Sequence, residues 1–208
     1  MKLKALVIAA CSLSMVSCGA IDKAKKRAKK AKHSNPAMLG TWDTDCRENS
    51  VLELTHGQKE YIFDLEGKFT KKEYLFDNEG CENKAAVYEV DGDYKDLGEN
   101  KENHEVKNID FKITEAHLTI YSDAAVKAMN AVKFCGINTW EKGEKKDLLG
   151  QECSGYLVPN NGDMVYDVYD VSDDTLTFGG NFLFLSDKDP SQRPTKTDQD
   201  LVYNKTKD

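Results

Sequence analysis

Apolar and polar residues alternate along most of the chain after residue 37. A period of two is typical of strands that bury one face and expose the other. The alternating segments lie at residues 61–65, 69–76, 86–90, 109–113, 118–120, 164–168, 176–178 and 201–203. Turns are predicted at residues 66–67, 78–80, 92–93, 114–116 and 172–174. Short strands at this spacing predict a mainly β fold, either an antiparallel barrel or a β-sandwich.

One segment departs from this pattern and predicts a single α-helix. Residues 122–134 place apolar side chains, among them Ala125 and Met129, near helical spacing. Ser122 or Asp123 is suited to cap the start of the helix, and Gly136 follows shortly after its end. We therefore expect one helix ahead of the last strands.

Four cysteines lie beyond residue 18, at Cys46, Cys81, Cys135 and Cys153. An even number in an exported chain indicates disulfides rather than free thiols. Of the three pairings, we favour Cys46–Cys81 and Cys135–Cys153, because each then encloses one compact stretch of chain. Loops of these sizes contribute roughly 3–4 kcal/mol each to stability in the chain-entropy model.

Charge divides the chain into a basic N-terminal stretch and an acidic remainder. Nine basic residues and one acidic residue precede Ser34, which leaves 20 basic and 35 acidic residues from there on, a net charge of −15. An acidic domain of this kind excludes nucleic acid as a partner, because nucleic-acid binding requires clustered positive charge. Residues 22–32 hold seven basic residues, and they are either a tether on anionic headgroups or a solvated spacer.

The first eighteen residues indicate export and anchoring. An apolar run of about twelve residues follows Lys2 and Lys4; it is too short to span a bilayer and has the length of a signal h-region. The run ends at Met15-Val16-Ser17-Cys18, which resembles the lipobox of bacterial lipoproteins. The alternative is an ordinary secretory signal with an incidental cysteine.

The lipobox resemblance implies that Cys18 is acylated and that membrane lipid is a partner of the mature chain. It divides the chain into a signal peptide (residues 1–17), a lipidated basic tether (18–36) and a β-domain (37–208). Because Gly19 stands where an inner-membrane retention Asp would be read, the expected location is the outer membrane, facing the periplasm or the outside.

Gly40 and Trp42 stand at the start of the first predicted strand. A Gly-x-Trp there, followed by antiparallel strands and one late helix, resembles the lipocalin and calycin barrels. The resemblance implies that Trp42 closes the barrel floor and that a basic residue near the last strand packs over it. Arg193 is the candidate for that basic residue.

A lipocalin-like barrel would offer an apolar interior to a small hydrophobic ligand. The resemblance makes five aromatic residues candidates for its lining: Tyr61, Phe63, Phe111, Tyr166 and Phe178. In the alternative, the barrel is filled and its acidic surface binds a protein of the cell envelope. Asp167 and Asp170 are expected on the outward face of their strand.

Motifs for catalysis, cofactors and metals are absent from the sequence. It has no Gly-x-Ser-x-Gly, no phosphate loop and no His-Glu-x-x-His. The cysteines lack Cys-x-x-Cys spacing, and His56, His104 and His117 are scattered. We therefore expect a binding domain rather than an enzyme, without cofactor or metal. An enzyme would require clustered polar residues with perturbed pKa values inside the barrel.

Overall fold

The chain is mainly β in the computed structural model, which describes residues 35–51, 54–180 and 189–207. The strands in these ranges are β1 (Gly40–Asp43), β2 (Arg47–Val51), β3 (Leu54–Phe63), β4 (Lys68–Phe76), β5 (Lys84–Glu99), β6 (Lys107–Ile120), β7 (Lys145–Asp147), β8 (Glu152–Cys153), β9 (Tyr156–Leu157), β10 (Met164–Ser172), β11 (Thr175–Phe178) and β12 (Val202–Lys205). The helix α1 spans Asp123–Val132, and short 3-10 turns span Pro36–Met38, Phe134–Gly136 and Pro190–Gln192.

Eight of these strands close into an antiparallel barrel, because β1 pairs with a neighbour on each side. The hydrogen-bonded order runs β1, β12, β11, β10, β6, β5, β4, β3, and β3 pairs back with β1. β2 pairs with β3 outside this closed path, β7 pairs with β6, and β8 forms a separate hairpin with β9. The prediction of a mainly β antiparallel barrel is confirmed. The sandwich alternative is wrong, because the sheet closes on itself.

One end of the barrel is covered by the segment that precedes β1. The Asn35 side chain accepts a hydrogen bond from the Ala37 amide and caps the first 3-10 turn. Met38 is fully buried, and the indole Nε1 of Trp42 donates to its carbonyl oxygen at 2.7 Å. We call this the Met38 end; the opposite end, where β1 leaves the barrel and β12 enters it, is the far end.

Two predicted turns lie inside strands. β5 continues through residues 92–93 and β6 through residues 114–116, so both turn predictions are wrong. The chain reverses instead at residues 100–106. The predicted turns at residues 66–67, 78–80 and 172–174 are confirmed.

The turn signals mark a β-bulge in the long β5–β6 hairpin. Asp91 pairs with Glu115. The next residue, Gly92, pairs with Ile113, so β6 carries one extra residue at this point. Bulges bend a strand and strengthen its twist, which a closing barrel requires. The sequence therefore marks a bend here, and the local residue types alone do not distinguish it from a chain reversal.

The helix and both disulfides are as expected. The Ser122 side chain accepts a hydrogen bond from the Ala125 amide and caps α1. The sulfur pairs are Cys46–Cys81 and Cys135–Cys153. In the described part of the chain, no helix has both the length and the apolar character needed to cross a membrane.

We predict that Gly92→Ala destabilises the domain by about 3 kcal/mol, the upper part of the range for overpacked sites. A Cβ at Gly92 would lie 2.1 Å from the carbonyl oxygen of Lys112 and 2.7 Å from Cε1 of Phe69, and neither strand can move aside freely. Urea denaturation measures the change.

Gly80→Ala is the matched control, because a Cβ there meets only the flexible Glu82 side chain, at 3.3 Å. Equal stability of the two variants would contradict the tight bulge described above.

Candidate functional site

Four of the five predicted lining residues are buried and contact one another inside the barrel. The ring of Tyr61 lies 5.5 Å from that of Phe63, 6.4 Å from that of Phe111 and 4.8 Å from that of Phe178, measured between centroids. Tyr203 of β12 joins them, 5.3 Å from Tyr61. We call these five side chains the aromatic layer. At this level the interior is occupied by the protein's own rings.

Tyr166 lies on the outer face of β10 and does not line the interior. Its neighbours Val165 and Asp167 are buried, while Tyr166 is half-exposed. The prediction placed Tyr166 inward and Asp167 outward, and the register is the opposite. Both faces of β10 carry apolar residues, so hydrophobicity alone does not fix which face is turned inward. Asp170, also predicted outward, is exposed.

Trp42 is buried at the Met38 end, and the basic side chain over its ring is Lys205, not Arg193. The ammonium of Lys205 lies 5.0 Å from the centroid of the Trp42 ring. The two residues are direct partners in the β1–β12 ladder, which brings their side chains together. Gly40 begins β1 with a φ of 114°, a conformation that glycine adopts without strain.

Arg193 instead clamps the outer side of the β6–β10 pair. Its guanidinium donates to the carbonyl oxygens of Ile109 and Asp167, at 2.7 and 2.6 Å, and pairs with the carboxylate of Asp110. It also lies 5.4 Å from the centroid of the Tyr166 ring. Its role is to hold two strands together rather than to cover Trp42.

Two ionisable side chains of β4 point into the barrel. Every second residue of this strand is buried: Phe69, Lys71, Glu73 and Leu75. Lys71 and Glu73 are only 3 % and 5 % exposed. Sequence reasoning missed them, although the period of two already places both on the face of Phe69 and Leu75.

A cavity of about 190 Å³ lies inside the far end of the barrel. Gly57 and Lys59 of β3 line one side, and Glu73 of β4 faces Lys59 across the ladder. Thr44 and Leu201 come from the chain next to β1 and β12. Arg47 and Glu48, both exposed, complete the lining. The cavity therefore combines two cationic and two anionic side chains.

Glu73 is the buried ionisable group of this cavity. Its Oε2 atom is inaccessible and has no hydrogen-bond partner among the described residues. Burial raises the pKa of the Glu73 carboxyl, and the nearby Lys59 and Lys71 ammonium groups oppose that shift. An unpaired buried carboxylate oxygen costs stability. It is therefore the feature of the interior that most requires a functional explanation.

Lys71 lies one inward position from Glu73, towards the aromatic layer. Its ammonium is 5.4 Å from the centroid of the Tyr61 ring. Burial, together with the nearby charge of Lys59, lowers the pKa of Lys71 from 10.5 to about 7, against the opposing effect of Glu73 and Asp167. The group is therefore divided between its charged and neutral forms near neutral pH.

Asp167 is buried, and its carboxylate is satisfied by the backbone where β11 ends. It accepts hydrogen bonds from the amides of Val168 and Gly179, at 2.8 and 3.1 Å, and from Gly180 at 3.3 Å. Burial raises the pKa of Asp167 to about 6, against these three bonds and the charge of Lys71. Asp167 therefore has a structural role, as the acceptor for three backbone amides.

A second cluster lies on the outer face, where Glu89, Asp91 and His117 bring possible ligand atoms within 4.8 Å of one another. The Lys145 ammonium already pairs with Glu89 at 2.6 Å. Because a cationic group is present, the geometry does not require a metal ion.

An outer groove of about 320 Å³ runs along β3 and β4, lined in part by Glu60, Tyr74 and Lys84. Of its three carboxylates, that of Glu60 is satisfied, since Oε1 accepts hydrogen bonds from Lys72 and from Tyr74, at 3.2 and 3.0 Å. Among the described residues that line this groove, none has a buried side-chain polar atom without a hydrogen-bond partner, so the far-end cavity is the stronger candidate.

Comparison with known proteins gives no family for this chain: no protein-family model matches the sequence, and no curated protein matches it either.

We predict that wild-type stability rises relative to that of Lys71→Met as the pH increases from 7.5 to 9.5. The pKa of Lys71 is lower in the folded state than in the unfolded state, so over this range the unfolded chain binds a proton that the folded chain has released. Its contribution to stability is greatest above pH 10.5 and is lost as the pH falls through about 7. The expected slope is about 1 kcal/mol per pH unit, from urea denaturation.

Lys72→Met is the control, because Lys72 pairs with Glu60 on the outer face and its pKa is raised. Its difference from wild type should stay flat over the same range. Parallel curves for wild type and Lys71→Met would show that Lys71 keeps its ordinary pKa.

Proposed function

We propose that this chain is a membrane-anchored lipoprotein of the cell envelope whose barrel binds a small polar molecule in the far-end cavity. One observation carries the binding assignment: the buried Glu73 oxygen, without a partner among the described residues, beside a cavity of about 190 Å³. Ligand sites are concave and hold a few converging polar groups, as this cavity does.

The size and lining of the cavity favour a polar ligand over the hydrophobic one that the lipocalin resemblance implies. Sites for drug-sized molecules measure roughly 300–1,000 Å³, so about 190 Å³ suits a smaller molecule. The aromatic layer, which would line an apolar site, is packed against itself.

The interior ionisable groups also meet the condition that the sequence set for an enzyme, namely clustered polar residues with perturbed pKa values. We assign binding rather than catalysis for two reasons. Asp167 is held by three backbone amides, and Lys71 lies outside the set of described residues that line the cavity. Acid–base catalysis needs groups within reach of the same substrate.

The second candidate function is a protein-interaction module of the envelope, which the packed aromatic layer favours. Such a module would use the acidic outer surface and would leave the cavity to solvent. Recovery of a bound small molecule discriminates between the two candidates.

Native mass spectrometry of the full chain, purified in mild detergent, tests the binding assignment. We expect a non-covalent species of a few hundred daltons or less that is lost on denaturation and absent from Glu73→Gln. Glu60→Gln, the same chemical change on the outer face, should retain it. A species held equally by both variants would contradict the assignment to this cavity, and a bare mass would favour the interaction module. A ligand returned chemically changed after incubation would indicate an enzyme.

Anchoring rests on the sequence alone, because Cys18 and the basic tether up to residue 34 lie outside the described residues. We predict that Cys18→Ala releases the protein from membranes, because the proposed acyl chains are attached to Cys18. Without them only the basic tether remains, and stable attachment requires more than one acyl chain or an additional signal. Membrane fractionation followed by immunoblotting measures the release. Cys11→Ala, a second cysteine in the leader, is the control and should stay bound. Retention of Cys18→Ala would overturn the lipoprotein assignment.

A further inference from the structure

We infer that the ligand of the far-end cavity is a small zwitterion of amino-acid size, which directs its ammonium to Glu73 and its carboxylate to Lys59 and Arg47. This inference rests on the proposed function and names the ligand class for that site.

The deep side of the cavity presents a carboxyl group, that of Glu73. Glu73 lines the cavity and is 5 % exposed, and its buried Oε2 atom has no hydrogen-bond partner among the described residues. A rotation of the carboxyl group would present this oxygen to a donor bound in the cavity. Lys59 and Lys71 already supply positive charge near Glu73, but neither donates a hydrogen bond to Oε2. A ligand ammonium, with up to three donors, would supply that bond. It would favour the ionised form of Glu73 and so offset the rise in pKa that burial causes.

The outer side of the cavity carries two cationic side chains beside the exposed Glu48. Arg47 is exposed and Lys59 half-exposed, and both line the cavity with their cationic side chains. Arg47 already donates one bond to the carbonyl oxygen of Asp200, which fixes its direction but leaves further guanidinium donors. A carboxylate is the group that a guanidinium and an ammonium bind best.

The volume of the cavity and the net charge of the domain restrict the ligand further. The cavity volume of about 190 Å³ corresponds to roughly six water molecules at liquid density, enough for a free amino acid. The acidic domain, with its net charge of −15 from Ser34 onwards, disfavours purely anionic ligands. The lining itself holds two cationic and two anionic side chains, so it offers partners to groups of both signs. A zwitterion satisfies both signs at once.

The test uses the full chain in mild detergent and the twenty common amino acids, screened by saturation-transfer difference NMR. The best binder is then titrated calorimetrically beside its N-acetyl derivative, which lacks the ammonium, and its amide, which lacks the carboxylate. We expect each derivative to bind at least tenfold more weakly than the free amino acid. These comparisons use the wild-type protein and so do not depend on how any variant folds.

Variants then assign the two ends of the ligand. Glu73→Gln should weaken binding of the free amino acid at least tenfold, whereas Glu60→Gln should leave it unchanged. Lys59→Met should weaken the free amino acid more than the amide, because the amide lacks the carboxylate that Lys59 contacts; Lys72→Met is its control. Circular dichroism confirms the fold of each variant.

Two results would overturn the inference: an N-acetyl derivative that binds as tightly as the free amino acid, or no amino acid bound at millimolar concentration. In either case the native mass spectrum still decides the proposed function. A co-purified species that depends on Glu73 but is not a zwitterion would keep the site and replace its ligand class.

Discussion

The pairing of β1 with both β3 and β12 is the constraint on which the rest of the structure depends. This four-residue strand turns an open sheet into a barrel, and its Trp42 lies between Lys205 and Tyr61 in the two ladders. Closure creates an interior, and only an interior can hold the aromatic layer at one level and the charged residues at another. β1 ends at Asp43, and the next residue, Thr44, lines the cavity.

The interior of the barrel changes character along β4. Phe69 packs edge-on against Phe111 of the aromatic layer, Lys71 lies beside Tyr61, and Glu73 faces the cavity. Burying charges is costly, and apolar residues of similar volume are often neutral or more stable in their place. The aromatic layer supplies apolar burial, whereas Glu73 is the buried charged residue that the proposed ligand site would use. Asp167 differs, because three backbone amides already satisfy it.

The sequence predicts the mainly β content, the helix and both disulfides, because each depends on a local pattern or on short loops of chain. The strand pattern leaves barrel and sandwich open, and the preference for a barrel comes from the Gly-x-Trp resemblance. Sequence reasoning misplaces features that depend on contacts between distant strands. The Gly92 signal is a bulge only because of the register between β5 and β6, and Lys205 lies over Trp42 only because β12 returns beside β1. For Lys71 and Glu73 the alternation was present, but charged residues at inward positions run against the usual expectation for a core.

The central claim is that Glu73 is the acceptor of a bound ligand at the far end of the barrel. The most direct measurement is carbon-13 NMR of the glutamate side-chain carboxyl carbons, with the Glu73 resonance assigned by its loss in Glu73→Gln. The account predicts a raised pKa for Glu73 in the free protein and a fall towards the ordinary range when an amino acid binds. A Glu73 resonance that titrates identically with and without the bound amino acid would contradict it.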